Sequence, residues 1–146
     1  MIGLIVTGHG NFATGMTEAL NLIAGAPEHY RAVDFTIDMS TDDLDAKLKQ
    51  AMADLSGCEG ILFLCDLAGG SPFKEAVLLG LGADAEIVAG TNLGMLLEVN
   101  LTRQFSDDVH ALADSALTVG KDQVQKFEVK EMPKSDEEED DFEDGI

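Results

Sequence analysis

Residues 2–6 form an unbroken β-favouring apolar run that ends in Thr7-Gly8-His9-Gly10. Beyond it Phe12, Met16, Ala19, Leu20 and Ile23 recur at helical spacing until Gly25. The pattern predicts strand, loop and helix. It returns at residues 30–37, a second strand, with Ser40 or Thr41 as helix cap and acidic residues in the first turn. Leu44, Leu48, Ala51, Met52 and Leu55 then share one face before Gly57. Residues 60–65 are a third, almost wholly apolar strand and residues 66–70 a loop, after which Ser71 and Pro72 suit the cap and first position of a helix. Residues 86–89 open a fourth unit, with Asn92 as the cap of its helix. A last helix is expected to start near residues 107–109 with Leu112, Ala113, Ala116 and Leu117 facing inward. In residues 126–131, Phe127 and Val129 alternate with charged side chains, which reads as an edge strand.

Strands that alternate with helices imply a parallel sheet covered on both faces, because right-handed crossovers lay each helix against the sheet. The expected fold is therefore a doubly wound α/β domain with a mainly parallel four-stranded sheet in the order 2-1-3-4 and a C-terminal antiparallel edge strand. Residues 1–132 make up this domain. Residues 133–146 are an acidic tail whose six consecutive carboxylates at 136–141 repel one another and bury nothing, so it is expected to stay extended and solvated.

Composition narrows the functional classes. The chain has 146 residues, 45% of them apolar and 25% charged, which fits one globular core. No apolar stretch reaches the ~18 residues of a membrane helix, and no signal peptide is visible. The net charge is −19, of which residues 128–146, with 10 acidic and 2 basic side chains, supply −8. Such a chain repels phosphate backbones and anionic lipid, so nucleic acid and direct membrane insertion are not expected. Cys58 and Cys65 have neither CxxC spacing nor a second pair, which argues against a disulfide framework or zinc site and suits a reducing cytoplasm. No metal or cofactor is expected.

In open α/β sheets ligands bind beyond the carboxyl ends of the strands where strand order reverses, here between strands one and three. The two loops at that point hold His9, and Asp66 with Gly69-Gly70-Ser71-Pro72. A carboxylate that binds one imidazole N–H fixes the tautomer, leaves the other nitrogen free to attack, and stabilises positive charge on the ring. Glycines at 69 and 70 let backbone amides approach an anion, a helix starting at Ser71 offers unpaired N–H groups and its dipole, and the Ser71 hydroxyl adds a donor. Gly10, Gly69 and Gly70 are thus a candidate phosphate cradle beside a candidate nucleophile, His9, with Asp66 and Ser71 as its partners. The same residues also fit plainer roles, Asp66 and Ser71 as caps and the glycines as turns.

Other features carry less. His29 lies in a linker, His110 near a helix start lacks a ligand partner at i+4, Cys65 points to the face opposite Asp66 and into the core, and Cys58 is a loop thiol without activation. Gly8-His9-Gly10-Asn11-Phe12-Ala13 matches a dinucleotide fingerprint, with Asp34 or Asp38 placed for a ribose, but about four strands leave no second mononucleotide half. Met16 stands where a Walker motif needs lysine. A receiver-type aspartyl phosphate at Asp66 lacks an acidic pair for magnesium after strand one.

Thr7-Gly8-His9-Gly10 with Phe63-Leu64-Cys65-Asp66, Gly69-Gly70-Ser71-Pro72-Phe73 and Gly90-Thr91-Asn92-Leu93-Gly94-Met95-Leu96 resembles enzyme IIA of the mannose class in the bacterial phosphoenolpyruvate:sugar phosphotransferase system, over about residues 1–130. The resemblance implies a cytoplasmic phosphocarrier in sugar uptake. His9 would accept a phosphoryl group from the carrier protein HPr and pass it to a histidine of a IIB component, with Asp66 orienting His9 and Ser71 binding phosphate. It also implies a homodimer that exchanges the C-terminal strand. The acidic end does not look like an interdomain hinge, so the IIB partner is expected to be a separate chain. Ala68 departs from the bulky aromatic of many family members, which bears on the partner-facing rim. The phosphotransfer subunit of dihydroxyacetone kinase, which shares the histidine motif alone, is a second reading. A non-catalytic anion- or nucleotide-binding α/β module is a third.

Overall fold

A computed structural model describes residues 1–131. Its elements are β1 (Gly3–His9), α1 (Phe12–Ala24), β2 (Tyr30–Phe35), α2 (Thr41–Asp54), β3 (Ile61–Cys65), α3 (Ser71–Gly80), β4 (Ala85–Val88), α4 (Leu93–Thr102) and α5 (Val109–Asp122), with single 3-10 turns at Arg103–Phe105 and Val129–Glu131. The four strands form one parallel sheet in the order β2-β1-β3-β4, as expected from the alternating pattern. Three helices start on a side-chain cap. Ser40 and Asp43 form a reciprocal capping box at α2, while the side chains of Asn92 and Asp108 cap α4 and α5.

The central strands are apolar on both faces because both faces are covered. Ile2, Leu4, Val6, Leu62 and Leu64 pack with Leu20, Met95, Leu96, Val99, Leu112 and Ala116 on one side of the sheet. Ile5, Phe63 and Cys65 pack with Leu44, Leu48, Leu55 and Ala76 on the other. Leu117, expected to face inward, is 42% exposed, because its position lies on the flank of α5 rather than under it.

One expectation at the C-terminal end changes. The fifth strand at residues 126–131 does not form in the single chain: residues 123–128 are irregular and exposed, and Val129–Glu131 is a 3-10 turn. The segment has only two apolar side chains, and Lys126 pairs with nearby Glu128 at 3.7 Å, which leaves it little apolar surface to bury against a sheet. The acidic tail expected at residues 133–146 lies outside the described residues.

At the amino ends of the strands the fold depends on Arg103, whose guanidinium is buried without a carboxylate. Its Nη1 donates to the carbonyls of Ile2 (3.0 Å) and His29 (2.8 Å), and its Nη2 to the Glu28 carbonyl and to Asn100 Oδ1 (3.0 Å). These bonds hold residues 28–29 under the sheet, including His29 in the left-handed region at φ 50°. Substituting Arg103→Met fills the space but orphans four acceptors, the Ile2 carbonyl and Asn100 Oδ1 buried and the other two partly so, and stability in urea should fall by about 3 kcal/mol. Chemistry at the opposite end of the strands should be unaffected in the folded fraction. A loss below about 0.5 kcal/mol would show that water replaces the guanidinium at no cost.

Candidate active site

β1 and β3 are neighbours with Thr7 opposite Cys65, so the residues that leave the two strands emerge side by side. The Asp66 N–H donates to the Thr7 carbonyl at 3.3 Å, continuing the ladder one step into the loop. Gly8 makes the approach possible: a Cβ there would stand 2.9 Å from Asp66 Cγ and 2.5 Å from the Phe12 ring. Freed of that obstacle, Asp66 Oδ2 accepts from the His9 backbone N–H at 2.9 Å and lies 2.7 Å from His9 Nδ1, while Oδ1 accepts from the Leu67 N–H at 2.8 Å.

A carboxylate can only accept, so the ring proton belongs on Nδ1 and the lone pair is on Nε2. Burial opposes the charge on Asp66, but the His9 backbone N–H, the His9 ring and the Leu67 N–H outweigh it, and the carboxyl is held below its ordinary range. The Asp66 side chain is 11% exposed and that of His9 46%, so the orienting group is shielded and the ring open to a partner.

The free edge of the ring faces the start of α3. A Cβ built on Gly70 would sit 2.7 Å from His9 Cε1 and 3.4 Å from Nε2. Gly70, not Ser71, is the N-cap of α3; Ser71 and Pro72 occupy the first two helical positions, and no side chain caps the helix. The Ser71 hydroxyl is thereby left over, at the amino end of a helix whose dipole and unpaired amides favour an anion. Gly69 takes φ 81°, which lets the loop turn into the helix there.

Gly10 plays a different part from the one expected. Its N–H donates to the Phe35 carbonyl at 2.8 Å and so is not offered to an anion. What requires glycine there is the backbone, at φ 58° in the left-handed region, since nothing lies within 4 Å of where its Cβ would be. Phe35 is the residue the sequence analysis missed. Its ring meets that of His9 edge to face at a centroid distance of 6.0 Å, because the last residue of β2 is in register with the last of β1. Strand order with the lengths of the two strands would have located it.

The rival candidates fall elsewhere. Asp34 accepts from the Thr14 N–H (3.0 Å) and hydroxyl (2.7 Å), so the protein's own carboxylate already fills the amino end of α1, where a dinucleotide would need to bind. Asp38 is exposed past the end of β2. His110 binds Glu86 at 2.6 Å on the far side of β4, away from His9. Burial, with the Asp66 charge, pushes the Cys65 thiol up to about 12. A neutral-pH alkylating reagent should therefore modify Cys58, which is partly exposed, and spare Cys65 in the folded protein. Equal labelling of both in peptide mass spectra would mean that β3 opens readily.

Comparison with known proteins gives a consistent set of likenesses. The family described as "PTS system fructose IIA component" matches residues 3–117. The chain is 33% identical over 105 residues to the PTS system fructose-specific EIIA component of Bacillus subtilis, covering 71% of this chain and 72% of that protein. It is 27% identical over 135 residues to the PTS system mannose-specific EIIAB component of Escherichia coli, covering 92% of this chain but 42% of that longer protein. Among solved structures, the phosphotransferase system component EIIA from Streptococcus agalactiae superimposes with a TM-score of 0.81 at 33% identity, covering 87% of this chain and 98% of that one. The mannose/sorbose-specific IIA subunit from Enterococcus faecalis also gives 0.81, at 25% identity and with 90% and 98% covered.

Proposed function

The chain belongs to the mannose-class IIA family of the sugar phosphotransferase system, and from that premise we propose that it is a phosphocarrier in which His9 Nε2 accepts a phosphoryl group from phospho-HPr and yields it to a histidine of a separate IIB chain. The observation that carries this reading is the pairing of an Nδ1-anchored imidazole with the uncapped start of α3 against its free edge.

In the forward step the Nε2 lone pair attacks phosphorus, a new N–P bond forms, and the N–P bond to the donor imidazole breaks with its electron pair returning to the donor nitrogen. Nδ1 keeps its proton throughout, so no proton has to move, and the positive charge that develops on the ring is met by Asp66 at 2.7 Å. The three phosphoryl oxygens face the amide groups of α3 and the Ser71 hydroxyl. This is transfer by positioning and charge stabilisation, suited to a loose in-line transition state. Lys74, exposed on the first turn of α3, is the one cation this part of the chain contributes, so the cradle holds phosphate moderately and releases it again.

The reading places the protein in the cytoplasm with its donor. No helix among the described residues is long and apolar enough to cross a membrane. It also assigns residues 126–131 to a second copy: β4 is an edge strand of four residues, and Val129 is 74% exposed in the single chain. Light scattering should then give twice the mass of one chain, and a monomer would remove the exchange.

Incubation with phosphoenolpyruvate, enzyme I and HPr tests the function. The intact mass should rise by one phosphoryl group that is lost on brief acid treatment, and the label should map to the peptide containing His9. An unchanged mass, beside a control IIA that is phosphorylated by the same partners, would leave a non-covalent anion-binding module as the better reading.

A further inference from the structure

We propose that Asn92 is a positioning residue for the His9–Asp66 pair, tying the carboxyl-terminal half of α5 to the carboxylate that orients the nucleophile. The inference deepens the phosphocarrier reading and rests on it for its rate prediction, though not for its structural one.

Asn92 uses both ends of its amide. Oδ1 accepts from the Met95 N–H at 3.0 Å and caps α4, while Nδ2 donates to the Gly120 carbonyl of α5 at 2.9 Å. The two residues before it reach the active site through the backbone. The Gly90 N–H donates to the Asp66 carbonyl at 3.1 Å, and the Thr91 N–H to the Cys65 carbonyl at 3.1 Å. The Asp66 peptide is thus held on one side by the Thr7 carbonyl of β1 and on the other by the loop that Asn92 anchors. A continuous chain of bonds runs from Gly120 through Asn92 and the loop to Asp66, and from its carboxylate to His9 Nδ1.

Packing alone does not transmit position. α4 and α5 touch at glycines: a Cβ on Gly120 would fall 2.4 Å from Met95 Cε, and one on Gly94 would fall 2.3 Å from Gln123 Cδ. The facing atoms there are the ends of flexible side chains, so it is the Asn92 bond to the Gly120 carbonyl that makes the start of α4 and the loop before it follow where α5 sits. Asn92 is where that displacement is passed to the loop. A cap alone would need only an acceptor, and serine would supply one; the donor to Gly120 is the extra function.

Asn92→Ser keeps the cap and deletes the tie, so it separates the two roles. Asp108→Ala serves as the comparison, because it removes the cap at the opposite end of α5, where Asp108 Oδ1 accepts from His110 and Ala111. In nitrogen-resolved proton spectra of 15N-histidine protein, the His9 Nδ1 proton should shift and broaden in Asn92→Ser and stay unchanged in Asp108→Ala. Phosphorylation by HPr, measured well below the unfolding temperature, should slow about tenfold in Asn92→Ser only, as expected when a reacting group is held loosely. An unmoved Nδ1 resonance, an unchanged rate, or equal effects in both variants would overturn the proposal. The resonance needs no phosphoryl donor, so a wild type that HPr fails to phosphorylate would refute the carrier reading and still leave the tie open to measurement.

Discussion

Phosphorylation of His9 in Asp66→Asn is expected to be slower by about three orders of magnitude, in a chain that remains folded. Asparagine preserves shape, and with its oxygen in the place of Oδ1 it still accepts from the Leu67 N–H, while its nitrogen takes the place of Oδ2 beside His9. What it changes is the ring. Its amide can turn an N–H toward Nδ1, which then accepts, and the proton moves to Nε2, where it blocks the lone pair that must attack. It also removes the negative charge that offsets the cationic phosphoimidazole. The rate of mass gain at a fixed concentration of phospho-HPr measures both losses together, and a rate within tenfold of the wild type would take Asp66 out of the mechanism. The same substitution has a signature in stability. Because the Asp66 carboxyl is held below its ordinary value, its contribution is complete above about pH 4 and is lost as pH falls through its folded value. Asp66→Asn should flatten that part of the acid limb.

Gly70→Ala is expected to cost about a hundredfold in the same assay, for a geometric reason. The backbone of Gly70 lies at φ −73° and ψ 170°, which alanine adopts without strain, so the fold and the start of α3 persist. The new methyl group, however, would stand 2.7 Å from His9 Cε1, closer than carbon atoms tolerate. Either the ring turns away from Asp66 or α3 withdraws from the ring, and a displacement of about 1 Å is enough for that loss. Gly69→Ala is the contrast: no atom lies within 4 Å of its Cβ, but φ 81° makes it strained, so stability falls by about 1 kcal/mol while the ring keeps its place. Wild-type transfer in Gly70→Ala would show that the helix start does not lie against the reacting nitrogen.

The site was legible in the sequence to the extent that it depends on strand order. A parallel sheet with β1 and β3 adjacent sends the loops after both strands to one crevice, and His9, Asp66 and Gly70 follow from that alone. Which residue caps α3 was not legible, because serine and glycine both serve as caps, and the choice is made by how closely the ring approaches. The bond from the Gly10 amide to the Phe35 carbonyl was not legible for a similar reason: it depends on where β2 ends, and element boundaries are the weakest part of a pattern reading. Phe35 itself reads as an ordinary strand residue until its register against His9 is known. The segment at residues 126–131 alternates like a strand, but alternation states only that a chain could pair, and in one copy its last three residues form a 3-10 turn instead.

The central claim is that the phosphoryl group is carried on one nitrogen of one histidine, and attaching an isotope to that nitrogen tests it most directly. Protein labelled with 15N-histidine and phosphorylated through HPr should show, at neutral pH, a single phosphorus resonance coupled to Nε2 of His9, with Nδ1 still bearing its proton. Coupling to Nδ1, or an acid-stable phosphate on Ser71 with His9 unmodified, would contradict the account.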